Sequence, residues 1–226
     1  MKGKNIVIIG GNSGIGKAVA ALAKNNGANL FLYSRSGKGS NQVDVTDDGM
    51  EFLDLPEVID GLVYCPGSIN LKPFHRITVE NFQSEMNINF FGAVRTLQAC
   101  LENLKKSGNA SVVLYSTVAV QTGMGFHAGI ASAKGAIEGL VRSLAAEWAP
   151  ISIRVNAIAP SLTDTPLAKQ LVSSHEKRSA FDKRHPLGRI GTPEDIAEAT
   201  CFLLDEKSSW VTGQILHVDG GMSSLK

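Results

Sequence analysis

Several features that the sequence lacks narrow the class of protein. No apolar run among the 226 residues approaches the ~20 residues that a membrane-spanning helix needs. The first apolar run begins within a few residues of the start, which leaves no room for a signal peptide. The net charge is +1, and basic residues do not cluster in the sequence. The charge therefore gives no indication that nucleic acid or a membrane surface is a partner. We therefore expect a cytoplasmic protein that acts on a small-molecule substrate.

Cysteine and histidine are too few and too scattered to organise the fold. The three cysteines, Cys65, Cys100 and Cys201, are far apart and odd in number, which indicates reduced packing residues and no disulfide framework. The five histidines show no metal-ligand spacing, so we expect no metal site. Hydrophobic residues make up 43% of the chain, enough for a full core, and the length suits one α/β domain.

A glycine-rich turn near the start is the most informative local motif. It lies between the apolar run 6–9 and a small-residue helical run that begins at Lys17, which is the strand–turn–helix context of a dinucleotide-binding turn. Glycines let a ligand approach the backbone closely, and a helix N-terminus offers N–H groups to a pyrophosphate. The alternative is a turn that merely connects strand to helix. We predict cofactor contacts from Gly11, Asn12, Ser13, Gly14, Ile15 and Gly16.

Arg35 bears on which nicotinamide cofactor the turn would bind. It follows the second predicted strand, 29–33, about 20 residues after the turn, where an NAD site is expected to carry an acidic residue for the ribose hydroxyl. A guanidinium, with Lys38 nearby, suits a 2′-phosphate by charge and geometry. The sequence therefore favours NADP over NAD. The alternative is that Arg35 is a solvated loop residue.

Strands and helices alternate along the rest of the chain. No helix fits between 37 and 47, where a doubly wound sheet normally needs a crossover. The polar stretch 116–128 is predicted to be a loop that walls the site, and the long stretch 161–186 a partly helical substrate lid. This order predicts a single-domain α/β fold, a three-layer, Rossmann-type, doubly wound parallel sheet. The further predicted strands are 62–65, 111–115, 153–158 and 214–218, and the predicted helices are 78–106, 129–148 and 193–204.

These motifs together resemble the short-chain dehydrogenase/reductase family over nearly the whole chain. The matching segments are 10–16, 44–47, 89–92, 154–161 and 211–221. The resemblance implies a homotetramer or homodimer that pairs through 81–106 and 129–148. It implies catalytic roles for Asn89, Thr117 and Lys134. The cofactor contacts that it implies are Asp44, Val45, Gly67, Lys134 and Thr165.

The resemblance fails at the position of the family's catalytic tyrosine. That tyrosine lies four residues before the lysine, and Ile130 stands there. Isoleucine cannot carry a proton, and losing a general acid typically lowers a rate ~10²–10⁴-fold. His127, Lys134, Tyr64 and Tyr115 are the candidate replacements. Only Gly67 remains of the family's N-N-A-G segment, which falls on 64–67.

Three functions stay open on the sequence alone. The first is an NADP-dependent oxidoreductase for a small carbonyl, imine or enone, with an altered proton donor. The second is a catalytically inactive NADP(H)-binding protein that acts through its oligomer or a partner. The third is a non-redox enzyme in which Thr117 or His127 performs acid–base chemistry.

Overall fold

The apolar runs form a seven-stranded parallel sheet. The computed structural model describes residues 1–225. The strands are β1 (Asn5–Ile9), β2 (Asn29–Ser34), β3 (Asn41–Gln42), β4 (Gly61–Tyr64), β5 (Ala110–Tyr115), β6 (Ile153–Pro160) and β7 (Ile215–Val218). They lie in the order β3-β2-β1-β4-β5-β6-β7, and every neighbouring pair is parallel. The predicted Rossmann-type, doubly wound sheet is confirmed.

Helices connect the strands on both faces of this sheet. They are α1 (Gly14–Asn25), α2 (Val79–Met86), α3 (Gly92–Lys105), α4 (Ala119–Thr122), α5 (Ala128–Trp148), α6 (His175–Asp182) and α7 (Pro193–Leu204). The single helix predicted over 78–106 is α2 and α3 joined by a π-helical turn, Asn87–Phe91, in which Asn89 lies. Within residues 1–225, every helix is too short or too polar to cross a membrane.

Alternation along the strands divides the core between the two faces. On β1, Val7 and Ile9 belong to the cluster that packs against α3 and α5, whereas Ile6 and Ile8 belong to the cluster on α1 and α7. This period of two is what a parallel strand covered by helices on both faces requires. The three cysteines are free thiols, and Cys100 and Cys201 are buried in these layers.

The connection from β2 to β4 is irregular. Residues 35–60, all of which are described, contain no helix, and β3 is only two residues long. The connection instead folds against the sheet edge, where Tyr33 donates a hydrogen bond of 2.8 Å to the Leu53 carbonyl and packs edge-on against Phe52. The predicted absence of a crossover helix is confirmed.

Two connections at the carboxyl edge of the sheet contain helix. The prediction that 116–128 is all loop is wrong, because Val118 and Ala119 are buried and the chain turns into α4 over their neighbours. The stretch 161–186 is partly helical, as predicted, with a 3-10 turn at Pro166–Ala168 followed by α6.

Candidate active site

The glycine turn has the geometry that the sequence predicted. Gly10 and Gly14 have φ of +79° and +50°, a region that favours glycine. A Cβ on Gly16 would lie 2.3 Å from the Gly10 carbonyl oxygen, so only glycine lets α1 start this close to the turn. Ser13 is the N-cap of α1, yet its side chain makes no capping hydrogen bond. The first N–H groups of α1 therefore remain available to an anion.

Five of the six predicted turn residues line one large cavity, and Gly11 does not. A Cβ on Gly11 would lie 2.9 Å from the Leu32 side chain, which places this glycine against the sheet. Gly11 therefore serves close packing, and its predicted cofactor contact is not supported by its position. The turn residues that line the cavity are Asn12, Ser13, Gly14, Ile15 and Gly16.

One end of the cavity lies beyond the carboxyl end of β2 and carries Arg35. The Arg35 side chain is exposed and lines the cavity, as do Asp44 and Val45 across from it. The Asp44 carboxylate accepts hydrogen bonds from the Thr46 hydroxyl at 2.7 Å and the Thr46 N–H at 2.9 Å. These bonds, with a smaller contribution from the charge of Arg35, lower the pKa of Asp44. Lys38 is not among the lining residues.

The other end of the cavity brings Gly67, Asn89 and Lys134 together. A Cβ on Gly67 would lie 3.0 Å from Asn89 Oδ1 and 3.9 Å from Lys134 Nζ. The Asn89 Oδ1 atom is buried and has no hydrogen-bond partner among the described residues. Burial lowers the pKa of Lys134 to about 8, against smaller opposing effects of Cys65 and Glu85. All three predicted residues therefore meet at one wall.

Thr117, His127 and Ile130 complete this wall. The Thr117 oxygen accepts a hydrogen bond from the Ala119 N–H at 3.3 Å, which leaves its hydroxyl proton for a ligand. His127 precedes α5 and donates from Nδ1 to the Gly125 carbonyl at 2.7 Å. Ile130 is 6% exposed, and its side chain is part of the cavity lining.

The hydroxyl groups of the two tyrosines considered as proton donors are hydrogen-bonded to groups inside the protein. Tyr64 donates to the Ile88 carbonyl at 2.6 Å, and burial raises its pKa. Tyr115 shares a hydrogen bond of 2.8 Å with the Thr200 hydroxyl on α7, and burial raises its pKa as well. Neither tyrosine is therefore positioned as a replacement proton donor, because each hydroxyl is committed to a partner inside the protein.

Two polar pairs beside the cavity escaped the sequence reasoning. Ser68 donates a hydrogen bond of 2.8 Å to Glu85, a buried carboxylate on α2. Ser161 donates a hydrogen bond of 2.7 Å to His185 Nε2, because His185 Nδ1 donates to the Phe181 carbonyl. The available signal was an acidic residue on the apolar face of α2, four positions before Asn89.

The segment 161–186, predicted to be a substrate lid, contributes several residues to the cavity lining. Its Thr165 side chain would lie 3.4 Å from a Cβ on Gly14, which places it beside the start of α1. Leu162, Leu167 and Leu171 line the cavity and give it an apolar wall, whereas Val172 does not line it. The whole cavity measures about 1000 Å³. Among residues 1–225, no His, Cys, Asp and Glu side chains converge as they would around a metal ion.

Comparisons with known proteins agree with this architecture. The family described as enoyl-(acyl carrier protein) reductase matches residues 51–223. A tropinone reductase homologue of Arabidopsis thaliana is 31% identical over 99% of this chain and 94% of the relative. The 3-oxoacyl-[acyl-carrier-protein] reductase of Chlamydia pneumoniae is 30% identical over 98% of this chain and 97% of the relative.

A solved structure extends the agreement to the fold. The structure of ElxO with NADP bound has a TM-score of 0.89 and 27% identity, covering 99% of this chain and 100% of that one. The glycine turn, the parallel sheet and these matches lead to one conclusion: the chain belongs to the short-chain dehydrogenase/reductase family of oxidoreductases.

Proposed function

We propose that this chain is an NADP(H)-dependent oxidoreductase that reduces a small carbonyl, imine or enone substrate, with Ile130 in the place of the family's tyrosine. The observation that carries the proposal is the continuity of the cavity. One space of about 1000 Å³ runs from Arg35, past the start of α1, to Lys134 and Thr117. Such a space holds a dinucleotide and a small substrate together.

The residues present fit NADP(H). The uncapped start of α1 suits a pyrophosphate, and Arg35 suits a 2′-phosphate. The orphaned Asn89 Oδ1 and the Lys134 ammonium offer an acceptor and a donor at the opposite end, and Thr165 lies beside the glycine turn at the start of α1. When bound, the nicotinamide supplies a hydride. A bound NADP is also what the name of the solved ElxO structure states for that protein.

The substrate end of the cavity combines an apolar lid with few polar groups. Three leucines of the segment 161–186, Leu162, Leu167 and Leu171, supply apolar surface to the same cavity that the Thr117 side chain lines. The Thr117 proton orients a carbonyl or imine, since its oxygen is already engaged by Ala119. The relatives from Arabidopsis and Chlamydia bear reductase names, which supports reduction as the direction.

The proton donor is the unusual part of this proposal. Neither tyrosine can serve, because the hydroxyls of Tyr64 and Tyr115 are bound inside the protein. Lys134, with a pKa of about 8, and His127, whose Nε2 is free of the Gly125 contact, line the cavity and can carry a proton. An enone or iminium substrate needs mainly the hydride and depends less on such a group.

The cavity wall also supports a second candidate, an inactive NADP(H)-binding protein. The observation in its favour is that an apolar side chain, Ile130, covers the place where the family carries its acid. Such a protein acts through its oligomer or a partner. In either case we propose a cytoplasmic homotetramer or homodimer that pairs through 81–106 and 129–148, which light scattering after size exclusion tests directly.

The deciding experiment titrates NADPH and NADH by nicotinamide fluorescence and then adds cyclohexanone, benzaldehyde, cyclohexenone and methylpyrroline. Preferred NADPH binding with fluorescence lost on adding one of these compounds supports the reductase. Tight NADPH binding without turnover supports the inactive binding protein. Absence of binding by either nucleotide contradicts both candidates.

A further inference from the structure

A carboxylate is buried directly behind the cavity wall at which Gly67, Asn89 and Lys134 meet. Glu85, on the last turn of α2, is 3% exposed. It packs against α5 at Gly129, where a Cβ would lie 3.5 Å from Glu85 Cγ, so the small residue leaves room for the acid. Buried carboxylates are uncommon in proteins and are expensive unless hydrogen-bonded or paired. Its presence here therefore calls for a physical role.

Glu85 belongs to a closed hydrogen-bonded triangle. Its Oε2 accepts from the Ser68 hydroxyl at 2.8 Å and from Asn89 Nδ2 at 3.0 Å. Asn89 Nδ2 also donates to Ser68 Oγ at 3.1 Å and to the Glu85 carbonyl at 3.0 Å. The amide group thus fixes the serine and the carboxylate relative to each other, and the triangle is tightly preorganised.

The triangle opens to the cavity through Ser68. Ser68 and Asn89 line the cavity, whereas Glu85 is not among the lining residues. Ser68 follows Gly67, the glycine that borders both Asn89 Oδ1 and Lys134 Nζ. Ser68 therefore connects the cavity that Lys134 also lines to the carboxyl group behind it.

We propose that Ser68 and Glu85 carry the proton that Ile130 cannot, Ser68 exchanging it with the substrate oxygen and Glu85 holding it behind the wall. The inference rests on the proposed reductase. As a carbonyl carbon receives its hydride and the C=O π bond opens, the oxygen forms an O–H bond with the proton of Ser68. The Ser68 O–H bond is restored by a proton from the Glu85 carboxyl group, which becomes a carboxylate. Glu85 regains its proton from water through Ser68 after the alcohol leaves.

The hydrogen bond between Ser68 and Glu85 has the direction that the reverse reaction, oxidation of an alcohol, requires. Ser68 donates to Glu85 Oε2, which is the arrangement needed before an alcohol loses its proton to Ser68 while Ser68 passes its own to the carboxylate. Asn89 can donate to Glu85 Oε2 in either state, so it is a positioning residue for both directions. The charge of Lys134 beside the pair stabilises the carboxylate that reduction leaves behind.

A second serine–glutamate pair lies on the same cavity and provides a matched control. Ser116 lines the cavity and donates to Glu138 at 2.7 Å. Glu138, however, also forms an ion pair with Arg142, whose side chain is 59% exposed. Glu138 thus belongs to an ion pair that reaches the protein surface, whereas Glu85 is buried behind the cavity wall. We therefore assign proton transfer to Glu85 and a structural role to Glu138.

The test compares Glu85→Gln, Ser68→Ala and the control Glu138→Gln in the full-length protein. Activity is measured with NADPH and the compound of the carbonyl panel that the wild-type chain reduces fastest. We expect kcat to fall ~10²-fold or more in the first two variants and to change less than threefold in the control. NADPH affinity and the melting temperature, measured on the same samples, separate a proton-transfer defect from a folding defect.

A rescue experiment excludes a merely structural role. In Glu85→Ala, the space behind Ser68 admits formate, a small carboxylic acid, and added formate is expected to restore turnover in a saturable way. The same formate is expected to leave Glu138→Ala unchanged. Full activity in Glu85→Gln and Ser68→Ala, or loss only in the Glu138 variants, overturns the proposal while leaving the reductase standing. A wild-type chain that binds NADPH but reduces nothing overturns the reductase and this inference together.

Discussion

The amide oxygen of Asn89 lies 3.0 Å from the point where a Cβ on Gly67 would stand. Asn89 is fully buried, and its side-chain amide nitrogen makes three hydrogen bonds, so it cannot move away freely. Gly67 therefore leaves just enough room for the Asn89 amide oxygen on the side that faces Lys134, and a methyl group at position 67 would crowd that oxygen.

We expect Gly67→Ala to weaken NADPH binding at least tenfold, because the added methyl group displaces the Asn89 amide and covers its oxygen. Fluorescence titration of NADPH measures the effect. Gly49→Ala is the control, since its Cβ would meet only the Asp47 carboxylate at 3.6 Å and Gly49 is exposed in a distant loop. Unchanged NADPH affinity in Gly67→Ala contradicts the placement of the cofactor at this wall.

Arg35→Ala tests the choice of cofactor. Hydrogen bonds between charged groups contribute about 1.5–3 kcal/mol each, so losing the guanidinium is expected to raise the Kd for NADPH tenfold or more. The Kd for NADH is expected to change little, because NADH has no 2′-phosphate. Lys38→Ala removes the same charge from a side chain outside the cavity lining. Equal effects of Arg35→Ala on both nucleotides argue against NADP specificity.

Lys134 makes stability depend on pH in a predictable direction. Its pKa falls from 10.5 to about 8 on folding, so the unfolded chain binds this proton more tightly than the folded chain. Below pH 8, the buried charge therefore reduces the free energy of unfolding by about 3 kcal/mol, and this loss disappears as pH rises from 8 towards 10.5.

The measurement is the difference between wild type and Lys134→Met in urea unfolding at pH 7 and pH 10. We expect Lys134→Met to be the more stable at pH 7 without cofactor, and its advantage to shrink at pH 10. Comparing the two proteins at each pH removes the contributions of other titrating groups. An advantage that grows with pH shows that the folded lysine is charged more readily than its burial implies.

The start of α7 allows a stability test away from the active site. Thr192 and Asp195 form a capping box, and Arg189 adds two hydrogen bonds of 2.6 and 2.9 Å to the carboxylate. We expect Thr192→Ala to lower the free energy of unfolding by about 1 kcal/mol. Thermal denaturation measures this loss of stability. A lower melting temperature with unchanged NADPH affinity would show that the effect is confined to the helix.

Acid should weaken the same cap. The hydrogen bond from Arg189 holds the pKa of Asp195 well below its usual range. Its stabilising contribution is therefore complete above about pH 4 and is lost progressively as pH falls below that value. Asp195→Asn is expected to be less stable than wild type at pH 6 and closer to it at pH 3. A constant difference between pH 6 and pH 3 contradicts this role of the carboxylate.

The sequence predicted correctly the structural features that depend on a local pattern of residues. The turn at Gly10–Gly16 and the strand formed by the apolar run before it depend on neighbouring residues, and both appear as expected. The direction of a hydroxyl is not a local property. Tyr115 ends a strand at the cavity, yet its hydroxyl turns to Thr200, which is 85 residues away along the chain.

Burial of a charge also depends on tertiary packing. The position of Glu85 on the apolar face of α2 is visible in the sequence, but its burial arises only because α5 packs over it at Gly129. Its partner Ser68 belongs to another loop, 17 residues earlier. The triangle with Asn89 exists only because three separate segments converge, and no spacing rule in the sequence describes that convergence.

Ile130→Tyr is the most direct test of how this chain moves its proton. Ile130 faces a large cavity, so a tyrosine ring has space to enter it, and its hydroxyl would be carried on the same helix face as Lys134, four residues away. We expect this variant to raise turnover tenfold or more in the Glu85→Gln background, where the internal carrier is removed, and much less in wild type. The control is Ile130→Phe, which adds the ring without the hydroxyl and should rescue nothing. Equal rescue by both variants would mean that cavity shape limits the reaction, and a large gain by tyrosine in wild type would mean that the resident proton carrier is weak.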